Sequence, residues 1–420
     1  MIGEAEEKGV GGRDLQFHVG VRAAWAVGAY LVTALVAAAA IVILRRVISP
    51  AALRSLLGFV FIAAIAAGLE PATVKAAALR GGADDAGRDG GIWAVGAPAW
   101  LGVGAVKALA VSPLLAVLWR FADPHVSLVD LAWLPAVALA GFAATDQRVL
   151  LDIQGRHTAA IWLKQGSLAG GLAGLTALAW AGVPVFWAIG ASTAGRLALV
   201  AWAAAWTRGA APVSLARMKA LLGDIRWVEL AAASLVAALG GSIDRVLALR
   251  YLPAAAYPAY YLLYEVFSRF WLAPYLLTPI LFARLAAGQE SGAFIRRAWL
   301  ATGAAGALFV AAMAGFCLAA PQALGRLVGA SFGLFPVAFA AAVAIGALTQ
   351  LRIAELQGLG AARRAAVIVG LCAAFAALVF FVFVRRMGAE GLMVAWLIKS
   401  VVELAAAMVG GSGGLAGKRL

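Results

Sequence analysis

Ten ionisable side chains interrupt stretches that are otherwise apolar for about twenty residues: Glu70, Lys107, Arg196, Glu229, Asp244, Arg245, Glu265, Arg269, Lys399 and Glu403. Charge in hydrocarbon is costly, so such groups normally face a cavity or a partner. Two chemistries are open to them. A guanidinium offers a planar fork of donors that stays charged, which suits a compact anion such as a diphosphate, and a low-dielectric surround strengthens the attraction. That makes Arg245, Arg269, Lys107, Lys399 and Arg196 candidate anion-binding residues. A buried carboxylate can instead relay a cation, which makes Glu70, Glu229, Asp244 and Glu265 candidate ion-coupling residues. Spacing supplies a blander reading. Glu265 and Arg269 stand four apart, as do Lys399 and Glu403, so each couple can be an intrahelical ion pair. Asp244 and Arg245 lie within a turn of the end of their apolar stretch, from where Arg can snorkel to the interface.

Other chemistries lack their residues. His18, His125 and His157 are scattered, with no second ligand at metal spacing. Asp84, Asp85 and Asp89 sit in a Gly-rich stretch without the spacing of a calcium loop, and read as a solvated loop. The run from Ser412 to Lys418 lacks the first Gly and the final Ser/Thr of a phosphate-cradling loop. Cys317 and Cys372 fall inside apolar segments and read as small core residues. No catalytic residue, metal or cofactor is expected.

The elements that carry these charges follow from composition. Of 420 residues, 64% are apolar and 13% charged, with a mean hydropathy of +0.94. A soluble domain is about half apolar and a quarter charged, so a water-exposed globule is excluded. The net charge of +14 does not imply nucleic acid, because most Lys and Arg lie between apolar spans, where they set topology and meet anionic lipid. Windows of about 20 residues place spans at 23–44, 53–79, 92–119, 129–150, 159–181, 184–206, 227–249, 256–283, 299–320, 332–353, 364–384 and 389–409. The second and eighth are long enough to tilt, and Pro71, Pro274 and Pro279 can kink them. A secretory signal peptide is not expected: the first apolar run is too long and Glu4, Glu6 and Glu7 precede it. With the N-terminus inside, 21 Lys and Arg fall in cytoplasmic segments and 8 in outer ones, which puts both termini in the cytoplasm. Arg45-Arg46 is the exception to that bias.

The chain also repeats itself. Arg46-Val-Ile-Ser-Pro50-Ala-Ala after the first span matches Arg250-Tyr-Leu-Pro253-Ala-Ala after the seventh, at an offset of 204 between the arginines and 203 between the prolines. Asp152-Ile-Gln-Gly155 after the fourth matches Glu355-Leu-Gln-Gly358 after the tenth, at an offset of 203. An even number of spans per half gives both halves one orientation, a parallel repeat of the kind that places a central site between lobes. The expected architecture is all-α and polytopic, with a six-helix lobe over 1–206, a cytoplasmic linker over 207–226 and a second six-helix lobe over 227–420.

Ser242 to Leu285, "SIDRVLALRYLPAAAYPAYYLLYEVFSRFWLAPYLLTPILFARL", carries an Asp-Arg pair, a Pro/Ala turn, an aromatic-rich span, then Pro and a basic end. Together with "RRVISPAALRSLLGFVF" and the two Gln-Gly turns, this resembles the O-antigen flippase type, the polysaccharide-exporting branch of the multidrug/oligosaccharidyl-lipid/polysaccharide flippase superfamily. The resemblance implies two six-helix lobes around a cavity. Through it the sugar head of a polyprenyl-diphosphate-linked oligosaccharide would cross from the cytoplasmic to the outer leaflet of a bacterial inner membrane. It puts Arg245 and Arg269 first among the anion-binding candidates. The dense aromatics Tyr251, Tyr257, Tyr260, Tyr261, Tyr264, Phe267, Phe270, Trp271 and Tyr275 would then line a sugar path or form an interfacial belt. Two alternatives remain: a multidrug/toxin antiporter of the same superfamily, coupled to H+ or Na+, and a membrane-embedded glycan polymerase or glycosyltransferase. Outer loops of at most about ten residues weigh against the enzyme, and the excess of intramembrane Lys and Arg weighs against the antiporter.

Overall fold

The computed structural model describes residues 12–68, 97–153, 157–206, 240–271, 277, 281, 285, 292–359 and 361–412. All regular structure among them is helical: α1 (Gly12–Val47), α2 (Pro50–Gly68), α3 (Ala97–Ala122), a single turn α4 (Leu128–Leu131), α5 (Leu134–Ile153), α6 (His157–Trp180), α7 (Val185–Trp206), α8 (Ile243–Tyr251), α9 (Ala256–Ser268, continued as a 3-10 turn over Arg269–Trp271), α10 (Gly292–Ala319), α11 (Pro321–Val328), α12 (Phe335–Gly358) and α13 (Ala362–Ser412). Six helices among the described residues are long and apolar enough to cross a membrane. The chain is a multi-pass α-helical membrane protein. Glu70, Glu229, Pro71, Pro274, Pro279, Tyr275, the acidic loop at 84–89 and the 207–226 interval lie outside the described residues.

Each reversal has a local cause. Between α1 and α2, the Ser49 hydroxyl accepts from the Ala52 amide at 3.2 Å, and Pro50 opens α2, where its missing N–H costs nothing. Gly182 ends α6 with φ +77; its amide donates to Ala179 and that of Val183 to Leu178, satisfying the carbonyls a helix end leaves open. Gly388 interrupts α13 at φ 64 and ψ −135, a conformation open to glycine and costly for any residue with a Cβ. The chain turns back there. The rings of Phe380 and Trp396 meet at 5.5 Å, whereas a straight helix would hold them about 24 Å apart. Gly391 packs so closely on the Phe383 carbonyl that a Cβ would collide with it. The division between the spans expected at 364–384 and 389–409 is therefore a hairpin inside α13.

Six helix pairs thus turn within the described residues: α1/α2, α3/α5, α6/α7, α8/α9, α10/α12 and the two arms of α13. Their tips meet on one face. The Ser55 hydroxyl bonds Asp123 at 3.2 Å, Arg250 lies over the Phe121 ring, Arg385 over that of Tyr251, and Trp133 packs on Phe186.

Two arginines from the first tip join the halves. Pro253 has no N–H to donate four residues back, so the Leu249 carbonyl at the end of α8 lacks its helical partner. The Arg54 guanidinium supplies it, donating to Leu249 and, at 3.2 Å, to Leu252. Arg45 donates to the Arg326 carbonyl in the last turn of α11 at 3.3 Å, lying against Gly329 where a Cβ would strike it. Arg45, one of the two arginines that depart from the expected charge pattern, thus caps a helix C-terminus, favoured by the dipole's negative end. Gly58 completes the contact, because a Cβ there would stand 2.9 Å from Leu249 Cδ2.

Candidate functional site

Behind the closed tips, two chambers share a wall made of Ala64, Arg245, Tyr264 and Trp271. The first, about 290 Å³, lies between the halves, bounded by α1, α2 and α6 on one side and α8 and α9 on the other. The second, about 460 Å³, lies largely within the C-terminal half, among α8, α12 and both arms of α13. α9 positions the shared wall. Tyr257 to Tyr264 are buried without a break, the mark of a central helix.

Arg245 sits in that wall. Its guanidinium lies 4.1 Å from the Tyr264 ring centre and 4.8 Å from that of Phe61, and one Nη donates to the Gly241 carbonyl and the Ser242 hydroxyl at 3.0 Å each. Its Nε lies 3.8 Å from Asp244 Oδ1, too far for a hydrogen bond. Asp244 lines neither chamber and is 1% exposed. Its Oδ2 accepts from the Tyr260 hydroxyl at 2.7 Å and Trp396 Nε1 at 3.1 Å. Asp244 therefore ties α8 to α9 and to the second arm of α13, and sets a counter-charge beside Arg245 without a hydrogen bond to it.

Arg269 and Glu265 both line the first chamber and are bonded at 2.5 Å. Lys399 and Glu403 both line the second and are bonded at 2.7 Å, with the ammonium also 5.0 Å from the Trp396 ring centre. The i,i+4 spacing is thus realised as ion pairs. Each chamber is lined by two cations and one carboxylate, Arg245 being counted in both. The passage is less cationic than the sequence suggests, and Arg245 is the cation whose carboxylate neighbour stays outside hydrogen-bond range.

The remaining candidates are elsewhere. Arg196, on α7, lines a small space of about 50 Å³ among α2, α6 and α7 that borders the first chamber at Val60, Ala64, Leu168 and Leu172, its stem crossing the backbone of Gly171. Lys107, on α3, is 4% exposed and lines none of these three spaces. The aromatic stretch divides by depth. Tyr251 is exposed at the tip beside Arg385; Tyr257 and Tyr260 are buried away from the chambers; Tyr261, Tyr264 and Trp271 line them. Phe270 stacks on Phe309 at 4.8 Å. Lining residues that the sequence did not single out are Thr33, Gln350, Trp396 and Ser400. They are uncharged and carry no motif. Cys317 and Cys372 are buried free thiols, and no cluster among the described residues could hold a metal ion.

The helical bundle around an internal polar space is similar in fold to solved membrane transporters. A lipid II flippase, MurJ, in an inward closed conformation aligns over 91% of this chain and 86% of its own, with a TM-score of 0.67 and 10% identity. A multidrug resistance MATE family transporter of the MOP superfamily aligns over 90% of this chain and 92% of its own when inward-facing, with a TM-score of 0.61 and 17% identity. An outward-facing MATE family structure aligns over 93% of both chains with a TM-score of 0.58 and 17% identity. No protein-family model matches the sequence, and no curated protein is similar to it at the sequence level.

Proposed function

We propose that the chain is a flippase that carries a polyprenyl-diphosphate-linked oligosaccharide from the cytoplasmic to the outer leaflet of a bacterial inner membrane, for cell-surface polysaccharide export. The observation that carries this reading is Arg245. A guanidinium backed by Asp244, flanked by two rings and placed in the wall between two chambers is a fixed anion site in a low-dielectric surround. Arg269, Lys399 and the aromatic faces around them supply further contacts for a phosphate and sugar head. The fold likeness to a lipid II flippase supports the same substrate class. The reaction is movement, with no covalent step and no catalytic residue.

In this reading both termini are cytoplasmic and the tips face outward, so the structure is a tip-closed state with the chambers lying toward the cytoplasm. The lobes over 1–206 and 227–420 rock about the site in alternating access. Lys107 and Arg196, which line neither chamber, would act in another state of that cycle. Glu265 and Glu403, both lining chambers, also favour a second reading as a cation-coupled multidrug antiporter using H+ or Na+. Glu70, Glu229 and Asp244 belong to that reading as well. MATE family transporters share the fold.

The test is transport in proteoliposomes of a polyprenyl diphosphate oligosaccharide, reported by the fraction reachable from the opposite leaflet. Arg245→Ala combined with Arg269→Ala is expected to abolish it. Wild-type rates in that variant, or drug efflux driven by an ion gradient that tolerates it, overturn the flippase assignment.

A further inference from the structure

The two chambers differ in kind, and the difference assigns them different parts of one substrate. The first is walled by Ala37, Ile41, Leu57, Val60 and Leu168, against which Arg245, Arg269 and Glu265 form the polar side. The second has a polar lining from several elements: Ser242 of the α8 entry, Gln350 of α12, and Lys399, Ser400 and Glu403 of α13, with Trp271 and Trp396 beside them. We propose that the second chamber is a saccharide pocket within the C-terminal half, which binds the sugar rings while Arg245 holds the diphosphate at the shared wall and the apolar first chamber receives the start of the lipid. This rests on the lipid-linked oligosaccharide reading and adds the pocket and its residues.

Four observations favour a neutral polyol there. Sugar hydroxyls both donate and accept, and the lining offers both: an amide, hydroxyls, and an ammonium–carboxylate pair that is neutral overall. Ser400 is 0% exposed, lines the chamber, and its hydroxyl has no hydrogen-bond partner; a buried polar group in that state calls for a ligand or water. The indole N–H groups are committed, Trp271 to the Val343 carbonyl at 3.0 Å and Trp396 to Asp244 at 3.1 Å, so the two indoles line the chamber without offering it a charged or free donor group. The volume of about 460 Å³ lies in the range that encloses a compact organic ligand of several rings. A small cation fits the chamber less well, because the Lys399 ammonium already occupies the Glu403 carboxylate at 2.7 Å. An acyl or isoprenoid chain would leave the buried Ser400 hydroxyl without a partner.

The test compares two probes in proteoliposomes containing the full chain: a polyprenyl diphosphate carrying one hexose and the same lipid carrying a trisaccharide. Ala373→Phe fills the chamber from α13, where Ala373 lines it, and Ser400→Ala combined with Gln350→Ala removes two polar contacts without adding volume. Each is expected to slow the trisaccharide lipid at least tenfold more than the monosaccharide lipid, as a rise in KM for the polar variant. Equal slowing of both probes, or no slowing of either, overturns the saccharide pocket. Arg245→Ala separates this result from the parent reading. It should stop both probes, and if both still cross at the wild-type rate, the flippase assignment itself has failed.

Discussion

Arg54→Ala should release the tip-closed state. In the structure this guanidinium donates to the Leu249 and Leu252 carbonyls at the C-terminus of α8, and the first of these has no helical donor because Pro253 occupies the fourth position on. Hydrogen bonds from a charged donor contribute roughly 1.5–3 kcal/mol net. Here one partly buried guanidinium serves two carbonyls, and in an open state both sides regain water. A loss of about 2–3 kcal/mol from the closed state is therefore expected, which shifts the open-to-closed ratio by about 30- to 150-fold at 1.4 kcal/mol per factor of ten. Arg54→Lys should fall between, since a point charge cannot span two carbonyls as a planar fork does. The assay is pulsed electron–electron spin distance measurement between labels at Val47→Cys and Ala255→Cys, two exposed tip positions, in a background where the buried thiols Cys317 and Cys372 are replaced by Ala. A second, longer distance population should grow in Arg54→Ala, and further when Arg45→Ala is added. A ratio unchanged within about threefold would mean that apolar packing around Gly58 and Leu249 holds the tips alone, and the helix-capping latch would be refuted.

Asp244→Ala takes away the acceptor of the Tyr260 hydroxyl and the counter-charge of Arg245, leaving the Trp396 N–H only its 3.2 Å bond to the Tyr260 oxygen, and should cost about 3–5 kcal/mol, read as a large drop in Tm in detergent; Asp244→Asn, which keeps an acceptor, should lose less. Glu265→Gln frees Arg269 from its partner at 2.5 Å and should tighten binding of a polyprenyl diphosphate probe several-fold by removing a competing anion, while under the antiporter reading it abolishes ion-driven efflux; binding by calorimetry and transport distinguish them. Gly388→Ala forces a Cβ into a backbone conformation at φ 64 and ψ −135 and should destabilise the second arm of α13 by about 1–3 kcal/mol, seen as increased amide exchange over Ala389–Glu403. Gly190→Ala drives a methyl into the Trp133 ring and should lower Tm by overpacking worth about 1–3 kcal/mol, without changing the ratio of transport rates between substrates.

Much of the site was legible where its causes are local. The pairing of Glu265 with Arg269 and of Lys399 with Glu403 follows from four-residue spacing on a helix, and both pairs form. What spacing could not show is that both pairs face chambers and leave Arg245 as the cation nearest to open. The aromatic stretch was legible as a feature but not in its division: Tyr257, Tyr260 and Tyr261 look alike in sequence, yet the first two are packed away and the third lines a chamber. Lys107 and Arg196 show the limit of reading charge depth alone. Both are intramembrane cations, yet neither lines the two chambers: Arg196 faces a small space behind α2 and α6, and Lys107 is buried on α3.

Composition and hydrophobic runs determined by themselves that this is a multi-pass helical protein, since lipid permits few backbone structures and a helix span is fixed by bilayer thickness. The tertiary structure alone decided which charges meet. Asp244 finds Tyr260 and Trp396, and Arg54 and Arg45 find bare carbonyls on the other half. A backbone acceptor carries no side-chain signature, and contacts between residues remote in sequence depend on how the helices pack, which no local pattern encodes. Pro253 was the one visible hint, because a proline announces the carbonyl it leaves unpaired.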